Sequence, residues 1–156
     1  MAKIQVSSGH IGYRDQLDRA RRFLDRVEGP HRNDVDFQDM MWAFFQNCFH
    51  LRDWVVRDPL MSSAQKDAVL AKAGASIPLR RCGDLCNGTK HLVPKATQHS
   101  HVNITIQPGT DRPSELDSII DVGGGQLISG KQLARDCLSD WERILESEKL
   151  ATARRS

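Results

Sequence analysis

The sequence lacks the features that would identify a membrane, secreted or strongly nucleic-acid-binding protein. No apolar run approaches the ~20 residues that span a bilayer, and the first ten residues, MAKIQVSSGH, lack the apolar core of a signal peptide. The 22 basic residues outnumber the 20 acidic residues only slightly, and so small a net charge does not by itself indicate a nucleic acid partner. These absences predict a single cytoplasmic domain over residues 1–156 with no membrane partner.

The cysteines are spaced unlike those of a zinc finger or ribbon. The chain has four cysteines, at Cys48, Cys82, Cys86 and Cys137, and none of them forms the C-x2-C pair that such zinc sites favour. Cys82, Cys86 and His91 offer three donors, but on a helix the two cysteines align with Leu79 and Leu85. We therefore expect reduced cysteines that serve as small core residues, no bound metal and no cofactor.

Apolar spacing predicts a mainly α-helical bundle. Residues 13–28 carry one apolar stripe at helical spacing and end at Gly29-Pro30. Residues 34–57 form a more apolar helix that is hydrophobic over about half of its circumference, and such a helix packs on several neighbours. We expect this helix and a fourth helix over residues 78–90 to form a central antiparallel pair within a helical core over residues 11–93.

Local signals mark the remaining elements. Ser62 with Gln65 is a capping-box pair that begins the third helix. After residue 93 the stretches HVNITIQ, SIIDV and QLIS predict a small β-hairpin or meander over residues 101–128. The glycine triplet between the last two stretches is not followed by Lys-Ser/Thr, as a P-loop requires, and indicates a tight turn. The C-terminal helix is predicted over residues 130–148.

The stretch CGDLCNGTKHLV, residues 82–93, carries the polar residues that first suggest a site. At about 100° per residue, one helix face collects four polar residues, which are Arg80, Asp84, Asn87 and His91. Gly88 either lets a ligand or a second backbone approach this face, or is the C′ residue of a helix that ends at Asn87. In the second case Lys90 and His91 would follow a helix C-terminus, where the helix dipole favours their positive forms.

A second polar cluster lies on the central helix, in the sequence FHLRDW. His50 and Asp53 are three residues apart, so they can meet on one helix face, and an aspartate held against a histidine fixes its tautomer. Because this polar strip follows the most aromatic helix, we expect it to be covered and to lie near Asp84, Asn87 and His91. The alternative is a solvated pair with no function.

Together the two clusters resemble a group of small bacterial and phage helical proteins of unassigned activity. Their shared pattern is roughly H-L-[KR]-D-W followed by D-x-x-N-G-[ST]-K-H, and it is matched here by residues 50–54 and 84–91. More distantly, the arrangement is similar to HEPN domains, the helical modules of toxin and antiphage RNases, which carry an R-x4–6-H motif. In this chain Asn87 and His91 match the end of that motif, and Lys90 takes the place of the arginine.

The HEPN resemblance implies a metal-independent RNase, or an RNA-binding protein, that forms a homodimer. His91 would act as general acid or base at a ribose 2′-OH, Lys90 or Arg80 would stabilise charge on the phosphate, and Asn87 would orient the phosphate or His91. We expect further polar side chains to support the site, namely those of His50, Asp53, Asp84 and Arg80. Two alternatives stay open: a non-catalytic module that binds a protein partner or a second copy of itself, and a sensor of a small ligand or nucleotide.

Overall fold

A computed structural model describes residues 12–90, 104–108 and 116–153 of the chain. In this part of the chain the α-helices are α1 (Tyr13–Glu28), α2 (Asp34–Arg57), α3 (Ser63–Ala75), α4 (Ile77–Lys90) and α5 (Gly130–Ala153), and the strands are β1 (Ile104–Pro108), β2 (Leu116–Asp121) and β3 (Leu127–Ser129). The mainly helical fold, with a small β-structure before the final helix, is confirmed. None of the described helices is both long enough and apolar enough to cross a membrane.

Helix α2 is the centre of the bundle, because it contacts each of the other four helices. Its predicted apolar stripe is buried along its whole length, at Phe37, Met41, Phe44, Cys48, Leu51 and Val55. The apolar residues that recur at helical spacing in the C-terminal helix are buried as well, at Leu133, Cys137, Trp141, Ile144 and Leu145. Periodicity alone therefore locates the core-facing side of both long helices.

Capping side chains place two of the helix starts. The Ser62 hydroxyl accepts a hydrogen bond from the Gln65 amide, and the Gln65 side chain accepts one from the Ser62 amide, so the predicted capping box is present. Ser76 ends α3 and also caps α4, since its hydroxyl accepts from the Leu79 amide at 3.2 Å. A single serine thus sets the angle at which α4 leaves α3.

Helix α4 continues past the glycine at which one of our alternatives ended it. The helix runs through Gly88 to Lys90, so the interpretation of Gly88 as a C′ residue is wrong. A glycine inside a helix costs roughly 1 kcal/mol relative to alanine, a cost small enough that a helix can continue through it, as α4 does here for two further residues. Lys90 is the last residue of α4, and His91 lies outside the described residues.

The helices α3 and α5 run antiparallel and are joined by two polar contacts near the C-terminal end of α3. The Ser76 hydroxyl donates to Asp140 at 2.5 Å, and Lys72 donates to Glu148 at 2.8 Å. Because residue numbers rise along α3 as they fall along α5, these pairs fix the relative direction of the two helices. Since Ser76 also caps α4, the same contact ties the start of α4 to α5.

The β-structure is a three-stranded antiparallel sheet in the order β1-β2-β3, which is the meander form of the prediction. Between β2 and β3 the glycine triplet has positive φ values of 90°, 62° and 76°, as a tight turn requires and as only glycine adopts readily. The sheet leads directly into α5, whose first residue, Gly130, lies against Ser118 of β2.

Candidate functional site

A pocket of about 220 Å³ opens between α2, α3, α4 and α5. Four of its lining side chains are charged or carry an amide, and these are Arg52, Arg80, Asp84 and Asn87. Phe49, Trp141 and two cysteines are among its other lining residues. Three members of the polar face predicted for the fourth helix therefore line one concave site.

The close packing of α4 on α2 shapes this pocket. A β-carbon at Gly83 would lie 3.2 Å from Cε2 of Phe49, so glycine allows the two helices to approach there. One residue earlier, the thiol of Cys82 donates to the backbone oxygen of Phe45 at 3.3 Å. As a result, Asp84 is only 6 % exposed, while Asn87, one turn further along, is half-buried.

Positive charge lies at the mouth of the pocket. Arg52 and Arg80 are both exposed, and the Arg52 guanidinium carbon lies 5.9 Å from the centre of the Phe49 ring. With Asp84 as the one carboxylate of the lining, the formal charge of these groups is two minus one, or +1. The pocket therefore combines two guanidinium groups, an amide and an aromatic ring.

The second predicted cluster lies elsewhere. His50 and Asp53 are exposed and line a different pocket of about 430 Å³, together with Trp54, Arg57 and Asp58. Within the described part of the chain, no hydrogen bond or ion pair joins His50 to Asp53. We expected His50 and Asp53 to be covered and to share a site with Asp84 and Asn87. Neither expectation is met.

Helix geometry explains the separation. Successive helical residues point about 100° apart, so Phe49 and Arg52 face α4 while His50 and Asp53, one position further, face solvent. The sequence motif HLRDW therefore contributes Arg52, rather than its histidine and aspartate, to the pocket. The helical period shows that positions 49 and 52 share one face, but only the packing of α4 on α2 shows that this face borders Asn87.

The proposed acid-base residue cannot be located in the same way. His91 lies outside the described residues, and for Lys90 only the backbone position at the end of α4 is described. Both follow Asn87 within four positions of the chain. Their roles stay predictions.

A cluster of thiols lies behind the pocket. The four cysteines are free and buried, and the Sγ atoms of Cys48, Cys82 and Cys137 all lie within 4.8 Å of one another. Hydrogen bonds donated by Cys137 and Cys82 lower the pKa of Cys48. Hydrogen bonding with Cys137 raises the pKa of Cys82, and burial raises the pKa of Cys137. Each thiol has one proton, so Cys82 donates either to Cys48 or to the Phe45 oxygen, but not to both.

The sequence gives no signal that these three cysteines meet. Each occupies a core-facing helical position, as predicted for small apolar residues, but they belong to α2, α4 and α5 and are far apart in the chain. Cys86, which the sequence pairs with Cys82 by spacing, is buried one turn further along α4 and is not a member of this group. Convergence of residues on three helices depends on the packing of the bundle, which one sequence does not encode as a local pattern.

Comparison with known proteins returns nothing: no family model matches the chain, and no curated protein or solved structure matches it significantly. The resemblance to HEPN domains therefore stays a prediction.

Proposed function

We propose that the pocket between α2 and α4 binds RNA, or a nucleotide, by a phosphate group. The observation that carries this proposal is that two exposed arginines from different helices, Arg52 and Arg80, line the same pocket. Guanidinium groups donate paired hydrogen bonds that match the geometry of phosphate oxygens. Two of them at one concave site form a suitable anion clamp.

The other lining residues favour a nucleotide over a simple anion. Phe49 is half-buried, so part of its ring is accessible, and aromatic faces stack unpaired bases with little sequence preference. The Asn87 amide adds both a donor and an acceptor. A phosphate held by the two arginines would place an adjoining base or ribose within reach of these two side chains.

The size of the pocket limits what it can enclose. Its volume of about 220 Å³ is below the ~300–1,000 Å³ of pockets that bury a drug-sized ligand. It therefore suits a phosphate with part of one nucleotide. The rest of the ligand would extend over the surface, as a strand of RNA does.

Asp84 opposes an anion in this pocket, and its carboxylate must be reconciled with the proposal. It is 6 % exposed, and it interacts with another group within the chain. The two guanidinium groups outnumber this one carboxylate, so the charged lining keeps a formal charge of +1 that still favours an anion.

An affinity measurement tests the binding proposal. Fluorescence anisotropy of a labelled single-stranded RNA at low salt would be compared for wild type, Arg52→Ala/Arg80→Ala and Arg22→Ala/Arg32→Ala. The control removes two exposed arginines that do not line the pocket. We expect the first variant to bind at least about tenfold more weakly, because one hydrogen bond to a charged group contributes roughly 1.5 kcal/mol or more. An equal loss in both variants would indicate diffuse attraction and contradict the proposal.

Catalysis is a further part of the proposal and has its own test. His91 is assigned the acid-base role and Lys90 the charge-stabilising role, in a homodimer that brings two copies of the motif together. Wild type and His91→Ala would be incubated with a defined tRNA, with and without EDTA, and sedimentation would give the oligomeric state. Cleavage that survives EDTA and is lost in His91→Ala supports the assignment. RNA binding without cleavage would limit the function to recognition, and absence of both would favour an interaction module.

A further inference from the structure

Three cysteines from three different helices converge in the core. Cys48 of α2, Cys82 of α4 and Cys137 of α5 are each at most 1 % exposed, and their Sγ atoms lie within 4.8 Å of one another. We refer to these residues as the cysteine triad. Among the described residues, the three sulfur atoms of this triad lie close enough together to share one metal ion.

We propose that the cysteine triad binds one thiophilic closed-shell metal ion, Zn²⁺ or Cu⁺, through its three sulfur atoms. Thiolate sulfur is the donor that selects these ions over the harder Mg²⁺ and Ca²⁺. This inference is independent of RNA binding. It also replaces the sequence-based expectation of no metal, which was drawn from the spacing of Cys82, Cys86 and His91 and did not bring Cys48 and Cys137 together with Cys82.

The sulfur positions fit such an ion with little rearrangement. Three sulfurs at the usual metal–sulfur distance of about 2.3 Å, in a trigonal plane, lie about 4 Å from one another. The present separations are at most 4.8 Å, so each pair must close by less than about one ångström. Rotation of the cysteine side chains supplies this movement without displacing a helix.

The surroundings of the cysteine triad supply a neighbouring pocket and a nearby indole N–H donor. The pocket described above is lined in part by Cys48 and Cys82, which are at most 1 % exposed, so a small local opening of this wall would admit an ion and the water that completes a four-coordinate shell for Zn²⁺. Trp141 is 1 % exposed, and its indole Nε1 makes no hydrogen bond to another described residue. It nevertheless lies close enough to Cys48 to favour its thiolate. Donors of this kind around thiolate ligands tune metal sites.

The charge balance explains why an ion suits this position. Three bound thiolates and Zn²⁺ carry a net charge of minus one, whereas three thiolates alone would place three negative charges in the core. In the metal-free protein the thiols of Cys82 and Cys137, whose pKa values are raised, stay protonated instead, and they have backbone acceptors at Phe45 and Pro78, both at 3.3 Å. Binding exchanges these weak hydrogen bonds for metal–sulfur bonds, and the thiol protons pass to solvent.

Direct titration of the reduced full-length protein tests the proposal. Metal-free wild type would be titrated anaerobically with Co²⁺, a spectroscopic substitute for Zn²⁺, then with Zn²⁺ to displace it, and separately with Cu⁺ against a chromophoric chelator. We expect thiolate-to-cobalt charge-transfer absorption that saturates at one ion per chain, or the equivalent stoichiometry for Cu⁺. Absence of binding in all arms by folded wild type would overturn the proposal.

Serine variants identify the ligands. Cys137→Ser should weaken binding by more than about a hundredfold, since even residues that only support a metal ligand contribute 10- to 100-fold. Cys86→Ser is the matched control, because Cys86 is also a buried cysteine on α4 but is not part of the triad. It should retain both the charge-transfer band and the stoichiometry. A loss in Cys86→Ser with normal binding by Cys137→Ser would contradict the assignment.

X-ray absorption on the loaded wild type keeps the proposal testable if Cys137→Ser fails to fold. We expect three sulfur scatterers at about 2.3 Å from the ion. Two or fewer sulfur scatterers would show that the ion binds elsewhere and would refute a site at the cysteine triad.

Discussion

Ser76→Ala should be one of the more destabilising single-atom changes in this protein. The hydroxyl accepts a hydrogen bond from the Leu79 amide in the first turn of α4 and donates one to Asp140 of α5, at 3.2 and 2.5 Å. Ser76 is 8 % exposed, so water replaces these bonds poorly. Because this residue also ends α3, its hydroxyl joins three helices at one point.

The magnitude follows from the two lost bonds. An N-cap contributes about 1 kcal/mol, and a hydrogen bond to a charged group contributes roughly 1.5 kcal/mol. The Asp140 side chain is 22 % exposed and also pairs with Arg143 at 3.1 Å, so it keeps a partner in the variant. We therefore expect a loss of about 2 kcal/mol in the free energy of unfolding, or roughly 4–8 °C in Tm for a chain of this length.

Chemical denaturation of wild type, Ser76→Ala and Ser62→Ala provides the test. Ser62 caps α3 through an exposed capping box and has no described bond to another helix, so its replacement should cost only about 1 kcal/mol. A double-mutant cycle with Asp140→Ala should give a coupling energy of about 1 kcal/mol or more. An effect of Ser76→Ala no larger than that of Ser62→Ala would refute the reasoning.

Two further stability predictions follow from close contacts. Gly130→Ala should destabilise the protein by roughly 1–3 kcal/mol, because its β-carbon would lie 1.7 Å from the hydroxyl oxygen of Ser118, which is 1 % exposed. The control Gly74→Ala places its β-carbon within 4 Å of no other atom and should be neutral or stabilising by up to about 1 kcal/mol. Thermal unfolding that ranks the two variants in reverse would contradict this prediction. Asp58→Asn should cost about 2 kcal/mol, since the carboxylate is 4 % exposed and accepts from two backbone amides at 2.9 and 2.8 Å; a Tm equal to that of wild type would show that these bonds contribute little.

Local sequence patterns predicted most of the fold because local forces set it. The apolar stripe of α2, the capping box at Ser62 and the glycine turn between β2 and β3 each depend on residues within a few positions of one another. Gly88 shows the limit of this reasoning. The identity of one residue allowed both an end and a continuation of the helix, and the local pattern did not decide between them.

The site was predicted less completely, because it depends on how helices pack. Arg80, Asp84 and Asn87 share a face by helical period alone, and they do line one pocket. His50 and Asp53 share a face as well, but the pattern does not indicate which neighbour that face meets. The contributions of Arg52 and Phe49, and the meeting of Cys48 with Cys137, require the relative positions of α2, α4 and α5.

The salt dependence of RNA binding tests the central claim most directly. For single-stranded nucleic acid, each phosphate neutralised by the protein contributes about −0.7 to the slope of log K against log salt concentration. If Arg52 and Arg80 together hold one phosphate, Arg52→Ala/Arg80→Ala should reduce the magnitude of the slope by about 0.7 relative to wild type, while Arg22→Ala/Arg32→Ala leaves it unchanged. Identical slopes for wild type and the pocket variant would contradict a phosphate site in this pocket.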